Sequence, residues 1–254
     1  RKLYFYDVLL DQVTKELNLE MLPEAIKLSP DKSTAFIQLV DRPQDNISNP
    51  NSERRYALRV DIANYTATHS FALPSAGSYL AVVLNGERVL TSSSSTGVTG
   101  LLDAKTGTVL STLSGVYVSG NRAVIDNRVY TGVGGYVDFS NDTLTYQAIA
   151  GTNFASSSAT WALEGNKYVM DAEGHKLDVA TLKIVSTQAP PWNYNFDQVT
   201  FVPQSNFGFV VNYSDIVFFN LNSLEVIKRV SGSEIRSLFL LDGQLYSFGS
   251  PPSV

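Results

Sequence analysis

Short runs in which side chains alternate in character dominate the chain. Tyr56, Leu58, Val60 and Ile62 alternate with Ala57, Arg59 and Asp61, the period of two that a β-strand imposes. Six such runs reach an acidic or amide residue, turn, and continue into a second alternating run. They are Tyr6-Asp7-Val8, Val60-Asp61-Ile62, Leu102-Asp103-Ala104, Val137-Asp138-Phe139, Leu177-Asp178-Val179 and Phe219-Asn220-Leu221. From Asp61 onward the turn residues recur every 35 to 42 residues, and the first interval is 54. Between these pairs lie six more hairpins, centred on Pro30-Asp31, Asn85-Gly86, Asp126-Asn127, Gly165-Asn166, Ser205-Asn206 and Asp242-Gly243. Asn-Gly and Asp-Gly are the strongest short hairpin signals. No heptad or sustained helical period emerges; for residues 12–19 a helix is the alternative and a strand the preferred reading.

A unit of four strands repeated about every 40 residues predicts an all-β fold, a β-propeller. The strands of each blade are a, b, c and d from axis to rim. The N-terminus offers only a c–d pair, residues 3–19, and the C-terminus only an a–b pair, residues 235–248. Joined, the two would close a ring of six blades, or seven if the chain is trimmed, and leave no open sheet edge. The expectation is one propeller domain over residues 1–254, with 249–254 a linker remnant of a longer parent chain. Each turn Asp or Asn is read as a structural acceptor for backbone N–H groups just ahead of it. Gly107 supplies the positive φ of a tight turn.

The run Leu101-Leu102-Asp103-Ala104-Lys105-Thr106-Gly107-Thr108-Val109 resembles the blade repeat of bacterial quinoprotein-like and YVTN-type propellers, with their D-x-x-T-G turn. The resemblance implies architecture. Quinone-cofactor enzymes of that group carry a Trp at the end of the repeat and an adjacent cysteine pair. Here Leu110-Ser111-Thr112 stands at the former position and the chain has no cysteine, so the quinone cofactor is not expected.

Composition narrows the partners. The net charge is −5 and no Lys/Arg cluster occurs, which argues against a nucleic-acid surface. The longest apolar runs are about five residues, as in Leu80–Leu84, against about 20 for a membrane-spanning helix. Zero cysteines exclude a disulfide framework, thiolate metal sites and thiol catalysis. Together with the many small polar residues, this suits a secreted, periplasmic or cell-surface bacterial protein.

In a propeller the d–a and b–c connections share one face, and loops on a rigid scaffold are where function concentrates. Two connections on that face stand out. Residues 41–55 form a long polar insertion ending in Glu53-Arg54-Arg55. Residues 190–197, Pro190-Pro191-Trp192-Asn193-Tyr194-Asn195-Phe196-Asp197, alternate aromatics with amides, a pattern suited to sugar stacking or a protein hot spot. The candidate binding residues are therefore Trp192, Tyr194, Phe196, Asp197, Arg54 and Arg55. Catalytic and metal-ligating residues are not assigned. His69 is placed near the rim and His175 at a b–c turn. No Gly-x-Ser-x-Gly elbow or His-x-x-x-His spacing occurs. Gly132–Gly135 has no helix behind it to bind phosphate, and Ser92–Ser95 is read as a solvated b–c loop.

The leading expectation is a non-catalytic binding propeller, a monomeric extracytoplasmic domain that presents its d–a/b–c face to a protein or glycan. The competing expectation is a metal-dependent hydrolase or lactonase-like enzyme. Its axial Ca²⁺ would be held by residues such as Glu24, Glu164, Asp197 and Glu234, and Ca²⁺ is the one cofactor left open.

Overall fold

A computed structural model of the chain describes residues 1–7, 10, 12–29, 31–41, 53–75, 77–84, 86–93, 95–118, 122–131, 134–149, 160–171, 173–187, 199–201, 207–212, 215–231, 235–241 and 244–249. A two-stranded sheet opens the chain, β1 (Lys2–Asp7) with β2 (Gln12–Asn18). Residues 12–18 are thus a strand, as their alternation predicts. The first blade follows as β3 (Leu22–Leu28), β4 (Thr34–Val40), β5 (Arg55–Asp61) and β6 (Thr66–Ala72). The second is β7 (Ser78–Val83), β8 (Arg88–Ser93), β9 (Val98–Asp103) and β10 (Val109–Ser114). The third is β11 (Val124–Ile125), β12 (Arg128–Thr131), β13 (Gly135–Asp138) and β14 (Thr145–Ala148), with the 3₁₀ turn Ser140–Asp142 before its last strand. The fourth is β15 (Thr160–Leu163), β16 (Tyr168–Asp171), β17 (His175–Asp178) and β18 (Lys183–Thr187). The fifth is β19 (Val199–Phe201), β20 (Phe207–Asn212), β21 (Asp215–Asn220) and β22 (Val226–Ser231). The hairpin β23 (Ile235–Leu241) and β24 (Gln244–Gly249) ends the series.

Every blade is an antiparallel meander in chain order, so the a, b, c and d assignments hold. The blade number does not. Five blades are complete among the described residues, rather than six or seven. The terminal c–d and a–b pairs form two separate two-stranded sheets instead of one shared blade. Each terminal pair is hydrogen-bonded within its own hairpin, Lys2↔Asn18 through Asp7↔Gln12 and Ile235↔Gly249 through Leu241↔Gln244. A sequence period counts strand pairs but says nothing about hydrogen bonding between pairs from opposite chain ends.

The described chain divides into two compact units. One is Arg1–Val118 with Asp138–Tyr146, and the other is Ser119–Val137 with Gln147–Val254. Within the first unit, β4 is buried along its whole length. One of its faces joins Leu19, Ile37, Leu39 and Val60, against which Leu3, Phe5 and Leu17 of the N-terminal hairpin pack. The other joins Phe36, Ala57 and Phe71 to Leu80, Val89 and Leu102 of the second blade. Within the second unit, Ala123, Ile125, Tyr130 and Tyr136 pack on Val169 and Leu177. Trp161, Leu163 and Met170 pack on Val217, Phe219 and Leu224. Each core is thus a seam between neighbouring sheets. Burying one such side chain stabilises by about 1.5–3 kcal/mol, so the seams dominate the stability.

Polar side chains fasten the same seams. The buried Leu80 N–H donates to Gln38 Oε1 at 2.7 Å. The Ala123 N–H donates to Thr160 Oγ1 at 3.0 Å, and the Thr160 hydroxyl donates to the Tyr130 carbonyl at 3.0 Å. In the second blade the Val118 N–H donates to Ser92 Oγ at 3.1 Å, and Thr99 donates to the Val116 carbonyl at 2.7 Å. Ser92 and Ser93 are each 1% exposed. They are therefore buried strand residues of β8, not part of a solvated loop. The run reads as solvent-facing because serine is usually exposed. Here its hydroxyls replace the ladder partners of a connection that has left the sheet.

The c–d turns share one backbone design. The turn Asx accepts N–H groups ahead of it: Asp103 from Lys105 and Thr106 at 2.9 and 2.8 Å, Asp178 from Thr181 at 2.8 Å, Asp61 from Asn64 at 3.0 Å, Asp138 from Ser140 at 2.8 Å, and Asn220 from Asn222 at 2.8 Å. This is the structural role expected of them. The fourth residue after the Asx is left-handed in all five complete blades: Tyr65, Gly107, Asp142, Leu182 and Leu224. Only the second blade places glycine there. At the seventh residue after the Asx, the d strand carries an extra unpaired residue at Thr14, Thr68, Leu110, Val185 and Ile227. These bulges push Val185 and Ile227 outward, 54% and 60% exposed, and tighten the local twist.

Candidate binding site

In each blade the a–b and c–d turns lie at one end of the strands, and the b–c and d–a connections at the other. The described site is at the second end of the first blade. Glu53 and Arg54 lead into β5, and Leu73–Ser75 and Gly77 lie between β6 and β7. The two segments are tied by backbone hydrogen bonds, Leu73 N–H to the Arg55 carbonyl at 2.8 Å and Gly77 N–H to the Glu53 carbonyl at 3.2 Å. Asp41 N–H to the Arg54 carbonyl at 3.2 Å adds a third tie, and Ser78 N–H to the Ser75 carbonyl at 3.1 Å closes the turn. Gly77 takes φ +74° there. Beside this frame lies an open cavity of about 350 Å³ lined by Arg54, Arg55, Ala72, Leu73, Pro74 and Ser75.

The two arginines differ in their ion pairing. Arg55 Nε is 2.7 Å from Glu24 Oε2, and its Nη2 is 3.6 Å from Glu53 Oε2. Glu24 is also held by Gln38 Nε2 at 2.9 Å. Arg55 is therefore a fixed, neutralised part of the wall. Arg54 is exposed and forms no ion pair among the described residues. Both sequence-predicted arginines thus meet at one cavity. Trp192, Tyr194, Phe196 and Asp197 lie outside the described residues, as do residues 42–52 of the long insertion. The wall contributed by Leu73, Pro74 and Ser75 escaped sequence reasoning. Its only signal is a Leu-Pro-Ser d–a connection, which becomes meaningful once β5 and β6 are seen to be neighbours.

A second cluster sits at the b–c turn of the fourth blade. Asp171, Glu173 and His175 bring donor atoms within 4.8 Å of one another. Asp171 is fully buried. Its Oδ1 accepts the N–H groups of Glu173 and His175 at 3.0 and 2.9 Å, and its Oδ2 faces His175 Nδ1 at 2.8 Å. Glu173 Oε2 is 3.9 Å from the same ring nitrogen. Burial, with the Asp171 charge adding to it, pushes the Glu173 carboxyl up. Asp171 Oδ1 is committed to closing the turn and Oδ2 to the His175 ring. Ca²⁺ requires six to eight oxygen ligands, and this set does not offer them. The geometry fits a turn that orients an imidazole, with His175 at a b–c turn as its sequence position predicts.

His69 lies on the outermost strand β6, exposed, with its ring stacked 6.0 Å from that of Phe71. Among the carboxylates expected near an axis, Glu24 is bound by Arg55 and Gln38. Glu164 stands in the a–b turn of the fourth blade, at the opposite strand end, paired with Lys176 at 2.7 Å. Asp197 and Glu234 lie outside the described residues.

Five four-stranded meander sheets in chain order, with cores between neighbouring sheets inside each unit, are the architecture of a β-propeller. Solved structures agree on that class. BamB from Moraxella catarrhalis is similar at TM-score 0.59 and 12% identity, covering 94% of this chain and 86% of its own. The computationally designed Ika8 protein is similar at TM-score 0.59 and 13% identity, covering 94% of this chain and 72% of its own. In all, 811 solved chains match, a breadth that marks an architecture rather than an activity. No protein-family model matches the chain, and no curated protein matches it. Among the described residues, no helix is long and apolar enough to cross a membrane.

Proposed function

We propose that this chain is a non-catalytic binding propeller of a bacterial envelope or cell-surface protein, presenting its b–c and d–a connections to a protein partner. The observation that carries this reading is the preformed cavity of the first blade, framed by backbone hydrogen bonds and edged by the exposed Arg54. A concavity framed by backbone hydrogen bonds gives a partner a shaped surface to fill, where contacts count most toward affinity. The absence of cysteine and the many small polar residues support an extracytoplasmic setting. The axial Ca²⁺ hydrolase is less well supported, because Glu24 and Glu164 are each engaged in an ion pair.

Photocross-linking tests the reading. A benzoyl-phenylalanine placed at Ser75 or Ser95, on the b–c/d–a end, should capture a specific protein in cells. The same residue at Asn64 or Thr106, in c–d turns, should not. Equal capture at both ends would overturn the assignment of the face. Cross-links to saccharide chains alone would replace the protein partner with a glycan.

A further inference from the structure

We propose that the first-blade cavity recognises a carboxylate, presented by the C-terminus or an acidic side chain of the protein partner. This rests on the binding reading and specifies its chemistry. Four observations lead to it. Arg55 already has two carboxylates beside it, Glu24 and Glu53, so its charge is answered within the wall. Arg54 follows the same backbone into β5, lines the same cavity and is exposed. A guanidinium presents a planar fork of donors that matches a carboxylate with two parallel hydrogen bonds. The remaining wall is Ala72, Leu73 and Pro74, which gives an apolar stem a surface to lie on, with Ser75 at its end.

The Ser75 hydroxyl shares a 2.7 Å hydrogen bond with Ser78 Oγ. A hydroxyl offers one donor and two acceptor positions. When Ser78 donates, Ser75 keeps its own proton for an incoming anion. At about 350 Å³ the cavity stands at the lower end of small-ligand sites, roughly 300–1,000 Å³. That suits one terminal residue or one Asp or Glu side chain. The anchoring ties run through backbone groups, so the cavity keeps its form when Arg54 is changed.

The test uses the whole chain and four short peptides of Gly, Ser and Val. One ends in a free carboxylate, and one is its C-terminal amide. The third is amidated with a central Glu, and the fourth is amidated with a central Gln. Binding is read by calorimetry and by amide shifts of Leu73, Ser75 and Gly77. The free-carboxylate or the Glu peptide should bind and move these amides, and whichever binds identifies the source of the carboxylate. Arg54→Ala should weaken that binding about tenfold or more, the loss expected for a charged hydrogen-bonded pair. Arg54→Lys should recover only part of it, because the fork is lost. Both variants should melt with the parent protein, which separates recognition from folding. Equal affinity for the amide or Gln peptides, equal affinity in Arg54→Ala, or no binding of any peptide would overturn the carboxylate assignment. Cross-linking at Ser75 and Ser95 judges the binding face independently.

Discussion

Arg88 holds Asp142 with two nitrogens, Nε 2.6 Å from Oδ1 and Nη2 2.9 Å from Oδ2. The same guanidinium reaches Asp103 of its own blade at 3.2 Å. It thus joins the c–d turn of the second blade to that of the third. The hydrogen bond from Arg88 is the main cause that holds the Asp142 carboxyl below the usual carboxylate range. Both groups face solvent, so screening limits the effect. Arg88→Ala should lower Tm by no more than a few degrees, on the order of an exposed pair. Adding Asp142→Ala should cost little more. High salt should shrink the coupling in this double-mutant cycle, and a salt-independent coupling would contradict the exposed-pair account.

Gly107→Ala should be the most damaging single change in a c–d turn. A Cβ there would sit 2.4 Å from Phe71 Cβ and 2.6 Å from Phe71 Cγ, at φ +74°. The left-handed backbone alone costs roughly 1–2 kcal/mol for a residue with a Cβ. Displacing Phe71, which is part of the seam with the second blade, adds to this. A loss of about 2 kcal/mol or more is expected from denaturant unfolding. A neutral result would mean that the turn can shift away from Phe71.

Thr160 is the acceptor for the buried Ala123 N–H and a donor to Tyr130. Thr160→Val preserves shape and leaves that N–H without its partner, at a cost of about 1–3 kcal/mol. Thr160→Ser restores the hydroxyl and should recover most of it. Equal loss in both variants would trace the effect to packing.

Acid should erode stability through the turn carboxylates. Asp31, Asp61, Asp142 and Asp178 lie below the ordinary 3.8 because they accept hydrogen bonds, from Ser29, the Asn64 N–H, Arg88 and the Thr181 N–H respectively. Asp103 is lowered too, because N–H donors outweigh the upward push of burial. The folded state therefore binds these protons less readily than the unfolded chain. The resulting stability is fully present above 3.8 and is lost as the pH falls through the folded values. Asp178→Asn keeps an acceptor oxygen, as Asn220 does in the fifth blade. Its melting temperature should depend less on pH below 4 than that of the parent, with little change at pH 7. An unaltered pH profile would show that Asp178 does not contribute.

Chelator treatment followed by Ca²⁺ should leave the melting temperature unchanged, because Asp171 Oδ1 is engaged in closing its own turn and Oδ2 by the His175 ring. A melting temperature that falls with chelator and returns with Ca²⁺ would reveal a site formed by other residues.

Much of this architecture is legible in the residues. The alternation marks the strands, and Asp61, Asp103, Asp138, Asp178 and Asn220 mark the c–d turns. The left-handed fourth position is legible only at Gly107, because Tyr65, Asp142, Leu182 and Leu224 accept backbone strain and compensate by other contacts. Leu224, for example, is 2% exposed in the Trp161 core. The seventh-position bulge has no side-chain signature, since Thr14, Thr68, Leu110, Val185 and Ile227 share no common chemistry. Of the candidate site, Arg54 and Arg55 were visible as a polar loop end. Their unequal ion pairing depends on Glu24, distant in sequence and brought near only by strand pairing.

The fixed offsets of the c–d turns have a practical consequence for engineering. The left-handed residue stands at a set distance from the turn Asx in all five blades, and the bulge does so in the first, second, fourth and fifth, so one residue inserted between Asp103 and Leu110 would misalign strands β9 and β10. The b–c connections obey no such count, running from two residues between β20 and β21 to the stretch from Asp41 to Arg54. A tag, an epitope or a randomised peptide grafted after Ser95 should therefore leave the scaffold undisturbed.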